Sequence, residues 1–191
     1  MNIGIDIDET ITNNLEARLP HGQRYTMELR GDMNLSPDKT AVPAGEIFNL
    51  TPEQEKDFHE KHLEELLINA NLKPFANKVI NNLRAEGHKI FFITARSREK
   101  EHLSDPYKAS ADYLNKHKIE YDGLIVECFD KTAAYNRLNL DILIDDKADI
   151  CQKVPNAILF DSPHNQGITG LKRVYSWIEV YFIISEEKWK N

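Results

Sequence analysis

The chain has little of several things that would each announce a class of protein. It has two cysteines in 191 residues, Cys128 and Cys151, with neither the CxxC spacing of a metal pair nor enough thiols for a disulfide framework. Two free thiols in a reducing compartment are expected. No run of apolar residues is long enough to span a bilayer. The start has no cationic segment leading into an apolar run and a small-residue cleavage site, so a cytoplasmic location is expected. There is no excess of positive charge either. The formal net charge is -7, which argues against a partner such as a nucleic-acid polymer, whose phosphates need a basic face. A small phosphate is not excluded, because one metal ion and a few placed cations can invert a local potential.

What is present is ordinary soluble composition in a length that suits one α/β domain with a small inserted element. Residues 2–7 read as an isoleucine-rich strand that runs straight into Asp8, Glu9 and Thr10. Residues 13–50 resist assignment, because Pro20, Gly22, Gly31, Pro37, Pro43 and Gly45 punctuate them and apolar periodicity is weak. Thr51, Pro52 and Gln54 then form a capping-box signature, followed by Phe58, Leu63, Leu66, Leu67 and Ala70 at helical spacing. From there strands and helices alternate. A helix is expected over 75–86, with Phe75, Val79, Ile80 and Leu83 on one face. Strands follow at 89–93, 123–127, 141–145 and 157–160, with helices at 105–118 and 131–138 and a last one capped by Ser176. This alternation predicts a Rossmann-like parallel sheet covered on both faces. Residues 1–12 and 75–191 are expected to form the core, and 13–74 a small helical cap inserted after the first strand.

In such a sheet the chemistry gathers at the C-terminal strand ends. There the sequence places Asp6 and Asp8, then Thr94, Ala95 and Arg96, then Lys131, then Asp145 and Asp146. Four crowded carboxylates repel one another without a cation. Their hard oxygens suit Mg²⁺, so Asp6, Asp8, Asp145 and Asp146 are the candidate metal ligands. With charge so balanced, Asp6 could attack phosphorus and Asp8 could serve as acid and then base. Thr94, Ala95, Arg96 and Lys131 are the candidate phosphoryl contacts.

Bland readings exist for each. Asp6 and Asp8 could be solvated strand ends, Thr94 a local backbone partner, and Asp145 and Asp146 helix caps. Lys131 could be an exposed helix-start lysine, although the helix dipole disfavours a cation there. Arg96 could contact phosphate or the cap, or simply pair with an acid. The run from His59 to His62 lacks HExxH spacing and reads as a solvated helix face. Tyr25, Phe48 and Phe58 could stack on a base or pack the cap. Arg18, Arg24, Arg30 and Lys39 could meet an anion or be plain surface charge, and the tail 186–190 reads as a solvated end.

The ordered set Asp6-x-Asp8-x-Thr10, Thr94, Lys131 and Asp145-Asp146 resembles the four motifs of haloacid dehalogenase (HAD) superfamily phosphatases. Closer still, Ile3 to Thr10, Ile93 to Arg96, Leu143 to Asp146, Leu159 to Asn165, Leu171 to Val174 and Trp177 resemble the 5′(3′)-deoxyribonucleotidases and their bacterial relatives. That resemblance implies a helical cap after the first motif and hydrolysis of a nucleoside monophosphate. Glu9 departs from the animal enzymes, which carry Gly. Phosphatase action on a sugar phosphate or other metabolite is the alternative, and a catalytically silent phosphate-binding protein a third.

Overall fold

The computed structural model describes residues 1–33, 38, 40–98 and 103–186. Lys39 and the tail beyond Glu186 lie outside them. Six short strands, β1 (Asn2–Ile5), β2 (Lys89–Ile93), β3 (Gly123–Ile125), β4 (Ile142–Asp145), β5 (Ala157–Phe160) and β6 (Arg173–Val174), form one sheet. All pairings are parallel and the order is β3-β2-β1-β4-β5-β6. The chain starts in the middle and winds outward in both directions, so the topological switch point falls between β1 and β4.

The strands are apolar throughout because both faces are covered. Ile3 and Ile5 face one side, where they are buried with Ile90, Phe92, Ile142 and Ile144 beneath α4 (Ala76–Ala85) and the C-terminal helix α8 (Trp177–Ser185). On the other side Ile93 and Leu143 pack with Ala134 and Tyr135 of α6 (Lys131–Arg137) and Val154 after α7 (Ala148–Lys153). Gly4 points to this second face. A Cβ there would lie 2.6 Å from the Leu140 side chain, so glycine is what lets that layer close on β1.

Between β1 and α4 the chain builds α1 (Asn14–Arg30), α2 (Ala44–Phe48) and α3 (Pro52–Asn69). Tyr25, Ala44, Ile47, Phe48, Phe58 and Leu66 make a separate small core there. The capping box at Thr51 and Gln54 forms as expected. The run 13–50, unassigned from periodicity, holds a 17-residue helix with Pro20 inside it. Its Gly22 lies directly against the Phe48 ring, leaving no room for a Cβ. The two connectors run side by side: Thr12 bridges Leu72, Asn13 N donates to Asn71 O at 2.9 Å, and Lys73 N donates to Ile11 O at 2.8 Å. The insertion also leans on the rest of the molecule, with α3 packed on α5 (Pro106–Lys116).

Two local expectations are corrected. Phe75 does not join the buried face of α4. It precedes the helix in a left-handed conformation with φ 65° and is 52% exposed. His59 and His62 are not part of a solvated face, because the His62 ring sits 5.3 Å from Phe58 and 5.5 Å from His21, and the His59 side chain is only 15% exposed. The two-residue strand β6 and the short helix α7 were not visible in periodicity. Among the described residues no helix is long and apolar enough to cross a membrane.

Candidate active site

Register alone brings the acids together. Ile5 pairs with Ile144 across β1 and β4, so the next residue on each strand is Asp6 and Asp145. Asp6 N donates to Ile144 O at 2.9 Å and fixes this junction. Lys131 opens α6, whose N-cap Asp130 accepts from Thr132 N and Ala133 N at 3.0 and 3.2 Å. That anchoring aims the Lys131 side chain inward. Its ammonium donates to Asp6 Oδ1 and, at 2.6 Å, to Asp145 Oδ2, with all three side chains buried.

Asp146 is buried beside them. Thr10 Oγ1 donates to its Oδ1 at 3.2 Å, and His164 Nε2 lies 3.1 Å from its Oδ2. The backbone is held as well: Asn165 Nδ2 donates to Asp146 O at 2.7 Å, and Arg173 in turn donates to Asn165 Oδ1 and to Asp161, each at 2.6 Å. Thr10 is tethered from the far end of the chain by Trp177, whose Nε1 donates to Thr10 O at 3.1 Å.

Asp8 faces a different partner. The Arg96 guanidinium, fully buried, grips it through Nε at 3.0 Å and Nη2 at 2.7 Å, and Asn14 donates to the same carboxylate. Of the readings open for Arg96, the pairing with an acid is present in the fold. Thr94 is buried at the end of β2, where its Oγ1 accepts from Arg96 N at 3.3 Å, and Ala95 lies half-buried between them.

The electrostatics follow from this layout. Burial, opposed by Lys131 and reinforced by Asp145, Asp146 and Asp8, lifts Asp6 well above the ordinary carboxylate value. Burial likewise lifts Asp145. Burial works against the Lys131 charge, yet Asp145 and Asp6 together hold it well above the usual lysine value. Burial also opposes the Asp8 charge, but Arg96 and Asn14 outweigh it and hold that carboxyl below its usual value. Asp6 and Asp145 thus share one ammonium with Asp146 buried beside them, while Asp8, also expected among the metal ligands, is balanced by its own arginine. The excess of negative charge on hard oxygen donors fits a divalent cation of the Mg²⁺ type. Among the described residues no group of three or more acidic, histidine or cysteine side chains stands in a geometry that would hold a metal ion. Such an ion would therefore keep water or substrate oxygens, as Mg²⁺ does.

Sequence reasoning gave no role to Asn14, His164 or Asn165, and named Glu9 only as a departure from the animal enzymes and the stretch Leu159 to Asn165 only as part of the resemblance. Glu9 turns the backbone with φ 58°, and its carboxylate accepts from Leu15 N at 2.6 Å, capping α1 in place of Asn13. Glu9, Leu15, Arg18, Val42, Pro163 and His164 border a cleft of about 20 Å³ between the insertion and the sheet edge, which is room for about one water. Arg18 reaches across it to Val42 O at 2.9 Å. Tyr25, Phe48 and Phe58 pack the insertion's core, and Arg30 binds Phe48 O and Asn49 O. The signal for His164 and Asn165 was their place just past β5, at the same edge as the acids.

Comparison with known proteins identifies the family and agrees with the fold. Residues 1–189 match the family described as "5' nucleotidase, deoxy (Pyrimidine), cytosolic type C protein". A Bacillus cereus protein named "Putative nucleotidase" is 22% identical over 192 residues, covering 98% of this chain and all of that protein. An Oceanobacillus iheyensis protein of the same designation is 22% identical over 182 residues, covering 93% of this chain and 95% of that one. Among solved structures, a predicted phosphatase from Clostridium acetobutylicum superposes with a TM-score of 0.68 at 14% identity, covering 97% of this chain and 98% of that one. A haloacid dehalogenase-like hydrolase from Streptococcus pneumoniae superposes with a TM-score of 0.66 at 15% identity, covering 96% and 97%. With nearly its whole length matched and this set of acids at the sheet edge, the chain belongs to the cytosolic type C 5′-nucleotidase family of HAD-fold phosphatases.

Proposed function

We propose that the chain hydrolyses a nucleoside 5′-monophosphate, preferentially a deoxyribonucleotide, through a phospho-aspartate on Asp6 with Mg²⁺ as cofactor. The observation that carries this reading is the buried Lys131 ammonium shared between Asp6 and Asp145 at the C-terminal edge of a parallel sheet. The nucleotide part rests on the family description and on the names of the bacterial relatives.

Asp6 and Asp145, with Asp146 beside them, would hold the metal. When bound, the ion would neutralise the acids and let a phosphate dianion approach an anionic nucleophile. Asp6 then attacks phosphorus while the bond to the ester oxygen breaks. Lys131 and the Thr94 hydroxyl hold phosphoryl oxygens. Asp8 passes a proton to the leaving oxygen, and in the second half-reaction takes a proton from the water that attacks phosphorus and frees Asp6. Arg96 keeps Asp8 ionised, which suits the second half. The first half needs Arg96 to loosen its grip, and an incoming phosphate dianion is a competing partner for the same guanidinium. The leaving nucleoside would occupy the cleft by Glu9, Arg18 and His164 once α1 and α2 open it, so we also propose that residues 13–74 act as a cap that shuts water out.

Turnover of a panel of nucleoside monophosphates and sugar phosphates with and without Mg²⁺ tests the reading. Nucleotides are expected to lead, activity to require the ion, and Asp6→Asn to lose at least about 10³-fold in kcat. Full activity in Asp6→Asn would falsify the nucleophile assignment, and a lead for sugar phosphates would overturn the substrate class.

A further inference from the structure

A second cavity, of about 290 Å³, opens at the root of the insertion and takes no part in the chemistry above. That is at the small end of ligand-pocket sizes. Its floor is Phe160 and Trp177, and its rim is Phe75, Tyr175 and Ile178, which are 52%, 67% and 42% exposed. Three large apolar side chains held open around one hollow need a reason. Phe75 sharpens the point, because a bulky residue at φ 65° is strained and such strain collects at binding sites.

Lys73 is the cavity's cation. Its ammonium lies 5.2 Å from the centre of the Phe160 ring and makes no ion pair among the described residues. The acids that act on it are already committed, Glu9 to the first turn of α1, Asp146 to Thr10 and His164, and Asp161 to Arg173 at 2.6 Å. Burial lowers the Lys73 pKa, so the charge stands only partly compensated. The Asn13 carboxamide, which does not cap α1, adds a hydrogen-bonding group to the wall.

We propose that this cavity is a ligand site, separate from the phosphatase centre, for a small aromatic anion whose ring lies between Phe75 and Tyr175 and whose anionic group meets Lys73. A mononucleotide and an aromatic carboxylate share this chemistry. Asn13 and Lys73 belong to the two connectors of the insertion, while Tyr175 and Trp177 belong to the sheet side, so an occupant bridges the two.

Calorimetric titration of the full-length Asp6→Asn chain, with saturating inorganic phosphate and Mg²⁺ to block the phosphatase centre, tests this. AMP and 1-naphthoate are titrated in separate arms, and the tighter binder identifies the source of the ligand. One-to-one binding is expected for at least one of them, weakened at least tenfold in both Lys73→Met and Tyr175→Ala. Tyr175 is mostly exposed, so its variant stays informative if Lys73→Met folds poorly. No saturable binding in either arm, or affinities that neither substitution changes, would overturn the proposal.

Discussion

At the scale of single residues, the informative contrast is between the two aspartates of the first motif. They stand two positions apart, yet Asp6 shares a lysine with another strand and Asp8 has an arginine of its own. Arg96→Leu leaves Asp8 half-enclosed without its partner, and removing one member of a buried pair costs on the order of 3 kcal/mol. The sign with pH follows from the direction of the shift. Asp8 is depressed in the folded state, so the pair's contribution is present above the ordinary value near 3.8 and fades as pH falls through the lower folded value. Urea denaturation of both proteins from pH 7 down to pH 3 should show a gap that is widest at neutral pH and narrows below about pH 4. A gap that grows on acidification would contradict the assignment. Asp6, Asp145 and Asp146 were legible in sequence because an acid at an apolar strand end has few other reasons to be there, and Lys131 because a cation at a helix start runs against the dipole. The partner chosen by Arg96 was not, because three partners were compatible with its position and only the fold decides.

At the scale of elements, the sheet was readable and the insertion was not. Strands buried on both faces write themselves as unbroken apolar runs, and β1, β2, β4 and β5 fall where those runs lie. The helix α1 has no such signature. Pro20 and Gly22 interrupt it, and its exposed surface is large, so neither period nor caps betray it. Its glycine has a steric purpose that no local rule shows, which is contact with the Phe48 ring on α2. Gly22→Ala gains helix propensity but forces the buried ring aside, and overpacking of this kind costs about 1–3 kcal/mol. A lower thermal midpoint is expected, recovered in the double variant Gly22→Ala/Phe48→Leu. A rise in the midpoint for the single variant would mean that the ring moves freely and that the contact is loose.

At the scale of the whole molecule, the last helix holds the first loop. Trp177 sits fully buried at the start of α8, and its indole donates to Thr10, which itself donates to Asp146. Trp177→Phe keeps most of the ring volume but leaves Thr10 O without its donor, a loss of about 1–3 kcal/mol. For a chain of this size that corresponds to roughly 2–4 °C in Tm per kcal/mol. Phosphatase turnover is expected to fall as well, through the loosened Thr10 and Asp146, with KM nearly unchanged. Turnover that survives intact while Tm drops would show that the tether serves stability alone.

The side-by-side connectors at Ile11–Asn13 and Asn71–Lys73 carry one more consequence. A segment whose ends meet can be lengthened, shortened or exchanged for an unrelated one without shifting any strand pairing. Under the proposed function, descendants of such a chain could acquire new selectivity by trading this module, while the acids at the sheet edge keep their places. A replacement would have to match the interface of α3 with α5, the packing of Ala17 and Ala70 on the main core, and the contacts of Asn14 and Leu15 with Asp8 and Glu9.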